Sequence, residues 1–245
     1  MKGWLIFKHA LRQVTGNLGP ALRVSLLPFV GMILLSAVVV LALMAIAYSG
    51  TEPTALAVFA AVIAVLAYML MLGTIAVNWH RFVLLNEPIG WLPSLRFNRI
   101  GAYLWRYVLV FLLCALAGVG LAIPAGLLSS AGSALAIGLF VVLMVVILMP
   151  LFLRLSASLP GAAVDGGQGI QASWAATAGE TVTFLALSLI FLVFLLLTGI
   201  AAQVVGMIPV LGLLAQIAFN WFSTMLGLSV LTTIYGHYVE KRPLL

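Results

Sequence analysis

The side chains of this 245-residue sequence that could perform chemistry are few and scattered. Its histidines are His9, His80 and His237, its acids Glu52, Glu87, Asp165, Glu180 and Glu240, and its single cysteine Cys114. A zinc-type centre needs three or four ligands of these kinds at one point. Each histidine instead falls at the edge of an apolar stretch, where a headgroup or loop hydrogen bond is expected rather than a buried metal or haem. No His-Glu-x-x-His helix, Gly-x-Ser-x-Gly elbow or glycine-rich phosphate loop with its lysine occurs. Asp165-Gly166-Gly167 is the nearest fragment to the acidic motifs of membrane phospholipid synthases, and it lacks their further aspartates. These residues predict no enzyme, no metal centre and no cofactor. Cys114, inside an apolar run, reads as a small apolar filler.

One polar series lies among apolar residues near the end of the chain: Gln203, Gln216, Asn220, Ser223 and Thr224. On a helix, positions 216, 220, 223 and 224 share one face. Two readings stand: the lining of a path for a polar solute, or hydrogen bonds between helices worth about 0.6 kcal/mol each in a membrane. The second is preferred. Ion- or proton-coupled transport keeps ionisable groups at mid-membrane at a cost of about 3 kcal/mol or more, and none is expected there. Arg106 is the deepest basic group, and it can snorkel to the interface beside Trp105 and Tyr107.

The elements that must carry these residues follow from composition. Apolar residues make up 65% of the chain and charged ones 7%, against roughly half and a quarter in soluble domains, so the chain is expected to be an all-α polytopic membrane protein. Residues 24–51, 53–80, 107–153 and 181–239 carry no Asp, Glu, Lys or Arg. A crossing takes about 20 helical residues; the first two stretches each hold one, and the longer two each hold a pair with a turn. Six crossings are therefore predicted in a single domain, 1–245, at about 24–48, 55–78, 103–125, 134–153, 182–202 and 212–236. The turns are placed at 128–133 and near Gly206-Met207-Ile208-Pro209. Pro28, Pro124 and Pro150 fall in or near the ends of these helices. The first apolar run is too long for a cleavable signal peptide and is read as a retained helix.

All eleven basic residues fall on one side of this map: Lys2, Lys8, Arg12, Arg23, Arg81, Arg96, Arg99, Arg106, Arg154, Lys241 and Arg242. The positive-inside rule then places both termini and the 79–102 and 154–181 loops in the cytoplasm. Residues 1–23 are expected to form an interfacial helix, with Trp4, Phe7, Leu11, Val14 and Leu18 on one face and Lys8, His9, Arg12, Gln13 and Asn17 opposite; docking of that helix on the protein's own face is the equal alternative. Residues 89–100, with Trp91, Leu95, Arg96 and Arg99, and 168–179, with Ile170 and Trp174, look like further short amphipathic segments. Gly19, Gly101 and Gly179 punctuate the three at similar spacing. The pattern suggests three parallel repeats of a short helix followed by a transmembrane hairpin.

The stretches Trp79-His80-Arg81-Phe82-Val83-Leu84-Leu85-Asn86-Glu87-Pro88, Arg154 to Asp165 and Ser173-Trp174-Ala175-Ala176-Thr177-Ala178-Gly179 resemble a recurrent pattern in uncharacterised bacterial inner-membrane proteins. The pattern is similar to the YciC-like family and to the membrane domain attached to some glycerophosphodiester phosphodiesterases. It covers about Trp79 to Thr181 in recognisable wording. The resemblance implies a six-helix bacterial inner-membrane protein and brings no catalytic residues with it; no phosphodiesterase domain is expected after Leu245.

Two functions fit. One is a non-catalytic scaffold or accessory subunit that binds lipid or other membrane proteins. The other is a transporter of a small solute or lipid using a polar path between helices 5 and 6. The scaffold is preferred. Its expected contacts with anionic lipid or partner subunits are Trp4, Arg12, Arg23, Trp91, Arg96, Arg99 and Trp174; nucleic acid is not an expected partner.

Overall fold

A computed structural model describes residues 1–50, 54–129, 138, 142–164 and 169–244. Every regular element among them is helical: α1 (Lys2–Thr15), α2 (Leu18–Ser49), α3 (Ala55–Leu85), α4 (Phe97–Ser129), a π-turn (Met144–Leu148) leading into α5 (Met149–Ser156), α6 (Leu159–Ala163), α7 (Ile170–Ala176), α8 (Thr181–Gly206), and α9 (Pro209–Ile234) with a second π-turn (Tyr235–Val239). Six stretches are long and apolar enough to cross a membrane: Leu18–Ser49, Ala55–Leu85, Phe97–Ile123, Val145–Ala163, Thr181–Gly206 and Pro209–Val239. The chain is a multi-pass membrane protein. Glu52, Asp165, Gln168, most of the 128–133 turn and the expected start of the fourth crossing at 134 lie outside the described residues.

The crossings keep their expected number and order, and five of them run longer than expected; the fourth, expected at 134–153, is described as Val145–Ala163. Two of the long helices end at a residue that breaks them. Asn86, at φ 53°, ends α3, and Gly50, at φ 62°, ends α2, both left-handed positions that terminate helices. At Pro150 the ring offers no N–H to the preceding turn, and the π-turn immediately before it absorbs that loss.

The three amphipathic segments differ from one another. The first and third contain helices, α1 and α7. The second holds no separate helix: residues 86–96 are an irregular connection, because Pro88 and Pro93 each push the residue before them out of helical geometry, and residues 97–100 already belong to α4. Three hairpins are present, whereas the leading helix is missing from the middle unit.

Helix α1 docks on the protein itself, contacting α8 and α9. Its buried face is Gly3, Ile6, Phe7, Ala10 and Val14, rotated from the expected stripe so that only Phe7 and Val14 are shared. Close approach requires the glycine: a Cβ on Gly3 would stand 2.9 Å from the Thr183 carbonyl oxygen and 3.0 Å from the Leu187 nitrogen. Gly16 and Asn17 interrupt the helix before α2, with the Asn17 amide donating to the Gln13 carbonyl at 2.9 Å.

Nearly all buried side chains lie in the halves of the crossings that carry the basic residues, among them Ile75, Trp79, Ile100, Leu159, Phe184, Leu226 and Ile234. In the other halves, Leu41, Leu56, Leu116, Leu197 and Leu213 are exposed. At the centre of the packed end sits α6, whose five residues are all buried. It fits because it is small: a Cβ on Gly161 would meet the Tyr235 ring at 2.9 Å. Gly161→Leu is expected to overpack this site and cost about 1–3 kcal/mol, read as a lower melting temperature of the detergent-solubilised protein; an unchanged melting temperature would refute the account of α6 as a space-limited core element.

Candidate functional site

The extra length of α3 carries Trp79, His80 and Arg81 into the bundle, where successive helical positions point to different neighbours. The Trp79 indole N–H donates to Ser229 Oγ at 2.9 Å. His80 lies between Thr232 Oγ1, 2.7 Å from Nδ1, and the Tyr103 hydroxyl, 3.4 Å from Nε2. Arg81 donates to the Ala163 carbonyl at 3.0 Å and through Nε to Glu87 at 3.0 Å, with its second amino group on the same carboxylate. One turn of helix thus ties α3 to α9, α4, α6 and the 86–96 connection. The expectation that His80 is an interfacial headgroup contact is corrected: its side chain is fully buried, because α3 does not end at residue 78.

The connection is pinned at both ends. Arg96 donates to Glu87 at 2.9 Å, so one carboxylate holds two guanidinium groups. Asn78 donates to the Ser94 carbonyl at 2.9 Å and accepts from the Ser94 N–H at 3.2 Å.

Two further arginines serve helix ends. Arg106 donates to the Ser158 carbonyl at 2.8 Å and Arg242 to the Leu84 carbonyl at 2.7 Å. Like the Arg81 bond to Ala163, the Arg242 bond places a cation on a carbonyl at the negative end of a helix, where backbone acceptors lack partners, whereas Arg106 takes the carbonyl at the step between α5 and α6.

The expected contact residues separate into groups. Arg23 lies over the Trp91 ring at 4.9 Å, and the pair borders an apolar groove of about 480 Å³ along Leu22, Leu26, Leu27 and Val30. Arg96 and Arg99 line a hollow of about 460 Å³ with Arg81 and Asn98. Trp174 is covered by Arg154 at 3.7 Å, a guanidinium that also donates to Thr177 Oγ1 at 3.1 Å. Trp4 stacks on Phe7 at 5.8 Å, away from these pairs, and lines an apolar groove with Leu189, Val193 and Leu197. Arg12 is exposed on α1. Aromatic and basic residues therefore meet as pairs rather than as one patch.

The polar series is placed differently from expectation. Gln203 and Gln216 are exposed, and Ser223 is partly buried. Asn220 donates to the Gln216 carbonyl at 2.9 Å and Thr224 to the Asn220 carbonyl at 2.8 Å, so both spend donors on their own helix. Their side chains border a cleft against α2 and α3 that includes Ser36 and Tyr68. Sequence reading did not single out Ser36, Tyr68, or the hydrogen bond from the Trp221 indole to Ser25 Oγ at 2.6 Å. The spacing of Glu87 six residues after Arg81 was an available signal for their half-buried ion pair. Among the described residues, no three His, Cys, Asp or Glu side chains form a group that could hold a metal ion. Comparison with protein-family models, with curated proteins and with solved structures yields no match in any of the three.

Glu180 fastens the start of α1: Lys2 donates to it, as does Thr183 Oγ1 at 2.7 Å. Those hydrogen bonds, Lys2 first, hold its carboxyl below the ordinary value of 4.5. A lowered carboxyl pKa adds stability that is present above the unfolded-state value and is lost as the pH falls through the folded one. Acidification from neutrality to below pH 4, or Glu180→Gln at neutral pH, should loosen α1 by about 0.2–1 kcal/mol, the size of an exposed pair. Hydrogen exchange in residues 2–8 would report it; equal protection in the variant and the parent at neutral pH would remove Glu180 from this role.

Proposed function

We propose that this chain is a non-catalytic protein of the bacterial inner membrane, with both termini cytoplasmic, that gathers anionic lipid at its basic end and serves as a scaffold or accessory subunit for other membrane proteins. The observation that carries the reading is the Arg23–Trp91 pair above an apolar groove of about 480 Å³. A guanidinium at headgroup depth attracts a lipid phosphate, at about 1 kcal/mol per basic residue near an anionic leaflet, and the leucine-lined groove below it suits an acyl chain. The Arg96 and Arg99 hollow offers a second such place. The net charge of +6, with every Lys and Arg at one end, supports the orientation through the positive-inside rule, and the bacterial resemblance points the same way. The exposed far halves of the crossings supply apolar surface for partner helices. A transporter would need a continuous polar path, whereas the donors of Asn220 and Thr224 are used within α9.

Orientation is tested with single cysteines and an impermeant thiol reagent. Tyr48→Cys, at a 98% exposed position, should react from the periplasmic side of intact cells, and Leu92→Cys should not; the reverse pattern would overturn the topology. Arg23→Gln combined with Trp91→Ala should lower co-purifying anionic phospholipid about three- to tenfold, the loss expected for one charge-assisted contact. Unchanged lipid retention would sink the lipid reading. Co-purification of membrane subunits in mild detergent tests the scaffold role, and a solute flux abolished by Asn220→Leu in proteoliposomes of the lone protein would replace it with transport.

A further inference from the structure

Helices α2, α3 and α9 leave between them a cleft of about 290 Å³, with Ser36, Tyr68, Asn220 and Thr224 as its polar groups and Phe29, Met32, Ile33 and Ile217 among its apolar walls. Each polar residue lies near the middle of its crossing, Leu18–Ser49, Ala55–Leu85 or Pro209–Val239, so the cleft sits close to the centre of the hydrocarbon layer. No bulk water reaches that depth, and a polar group without a partner there is strongly disfavoured.

The hydrogen-bond inventory is unbalanced. Thr224 Oγ1 donates to the Asn220 carbonyl and Asn220 Nδ2 to the Gln216 carbonyl. Among the described residues, the Asn220 side-chain oxygen and the Ser36 and Tyr68 hydroxyls have no partner. Two polar pairs closer to the basic end are matched, Trp221–Ser25 and Trp79–Ser229, whereas the Ser156, Ser173 and Thr233 hydroxyls there are buried without a partner among the described residues. The cleft therefore holds two hydroxyls able to donate, from α2 and α3, and an amide oxygen able to accept, from α9, among apolar walls and with no ionisable residue except the tyrosine hydroxyl itself.

We propose that this cleft binds the hydroxyl end of an uncharged, membrane-soluble molecule, a long-chain alcohol in the broad sense. The ligand oxygen accepts from Tyr68, with Ser36 as a second donor, and its proton is donated to Asn220 Oδ1. Its chain runs into the bilayer, since Ser36, Tyr68 and Asn220 are all exposed along one open side of the cleft and the volume is at the small end of ligand pockets. A charged head would find no counter-charge, and a molecule with a carbonyl alone would leave the Asn220 acceptor unanswered. A hydroxyl satisfies both sides.

The test uses the full chain in nanodiscs with hexadecanol carrying a photoreactive diazirine, alongside its methyl ether, which accepts but cannot donate. Labelling by the alcohol is expected to concentrate on cleft residues such as Ile33 and Ile217 and to be displaced by plain hexadecanol. The ether, and the alcohol on Tyr68→Phe or Asn220→Leu, should label about three- to tenfold less, the effect of one lost hydrogen bond. Tyr68→Phe keeps the ring, so an unchanged melting temperature separates lost binding from lost folding. Equal labelling by alcohol and ether, labelling spread evenly over all lipid-facing helices, or full labelling of both variants would overturn the proposal. So would Ile217→Cys copies that cross-link to each other while the cleft takes up no probe, which would assign the polar groups to an interface between two chains.

Discussion

The packed end of this protein depends on the Arg81 guanidinium and what it touches. In a hydrocarbon surrounding, moving a leucine from lipid to a helix interface gains no hydrophobic free energy, so helices are held by close van der Waals contact and by polar groups that find no better partner elsewhere. Arg81, 6% exposed, meets the Ala163 carbonyl and Glu87 together. Removing either acceptor would leave a buried charge partly uncompensated, which is far more costly than the ion pair is stabilising. The bond to Ala163 holds α6 between α3, α4 and α9, and the bond to Glu87 sets the path of the 86–96 connection.

From that constraint follows the difference between the two ends. The basic end combines arginine clamps on backbone carbonyls, a buried Trp79-His80 pair and small residues in α6, so three hairpins and α1 meet in a packed core. The far halves have few polar partners to exchange, and their leucines and valines stay exposed. A membrane protein with one closed end and open helical faces at the other offers separate surfaces to lipid headgroups and to apolar partners. The basic residues are divided accordingly: Arg81, Arg106 and Arg242 serve the fold, whereas Arg23 and Arg154 lie over tryptophans near the membrane edge.

The number of crossings, their order and the one-sided distribution of charge were legible in the sequence, because each depends on composition over a length set by the bilayer. Charge-free runs such as 24–51 and 181–239 can hold only so many helices, and eleven basic residues on one side of the map need no tertiary information to be counted. What periodicity could not supply was the rotation of α1. Trp4 and Ile6 are both apolar, and the choice of Ile6 as the buried one rests on Gly3 allowing α8 to approach.

The candidate sites show the same division at finer scale. That Arg23, Trp91, Arg96 and Trp174 belong near the membrane edge follows from their types and from the ends of the apolar runs. That Arg23 meets Trp91, that Arg96 shares Glu87 with Arg81, and that Asn220 shares a cleft with Ser36 and Tyr68 was decided only when the hairpins packed. These contacts join residues far apart along the chain on helices whose relative rotation is set by side-chain volume, and a one-dimensional hydropathy pattern records how deep a residue lies but not which neighbour it faces.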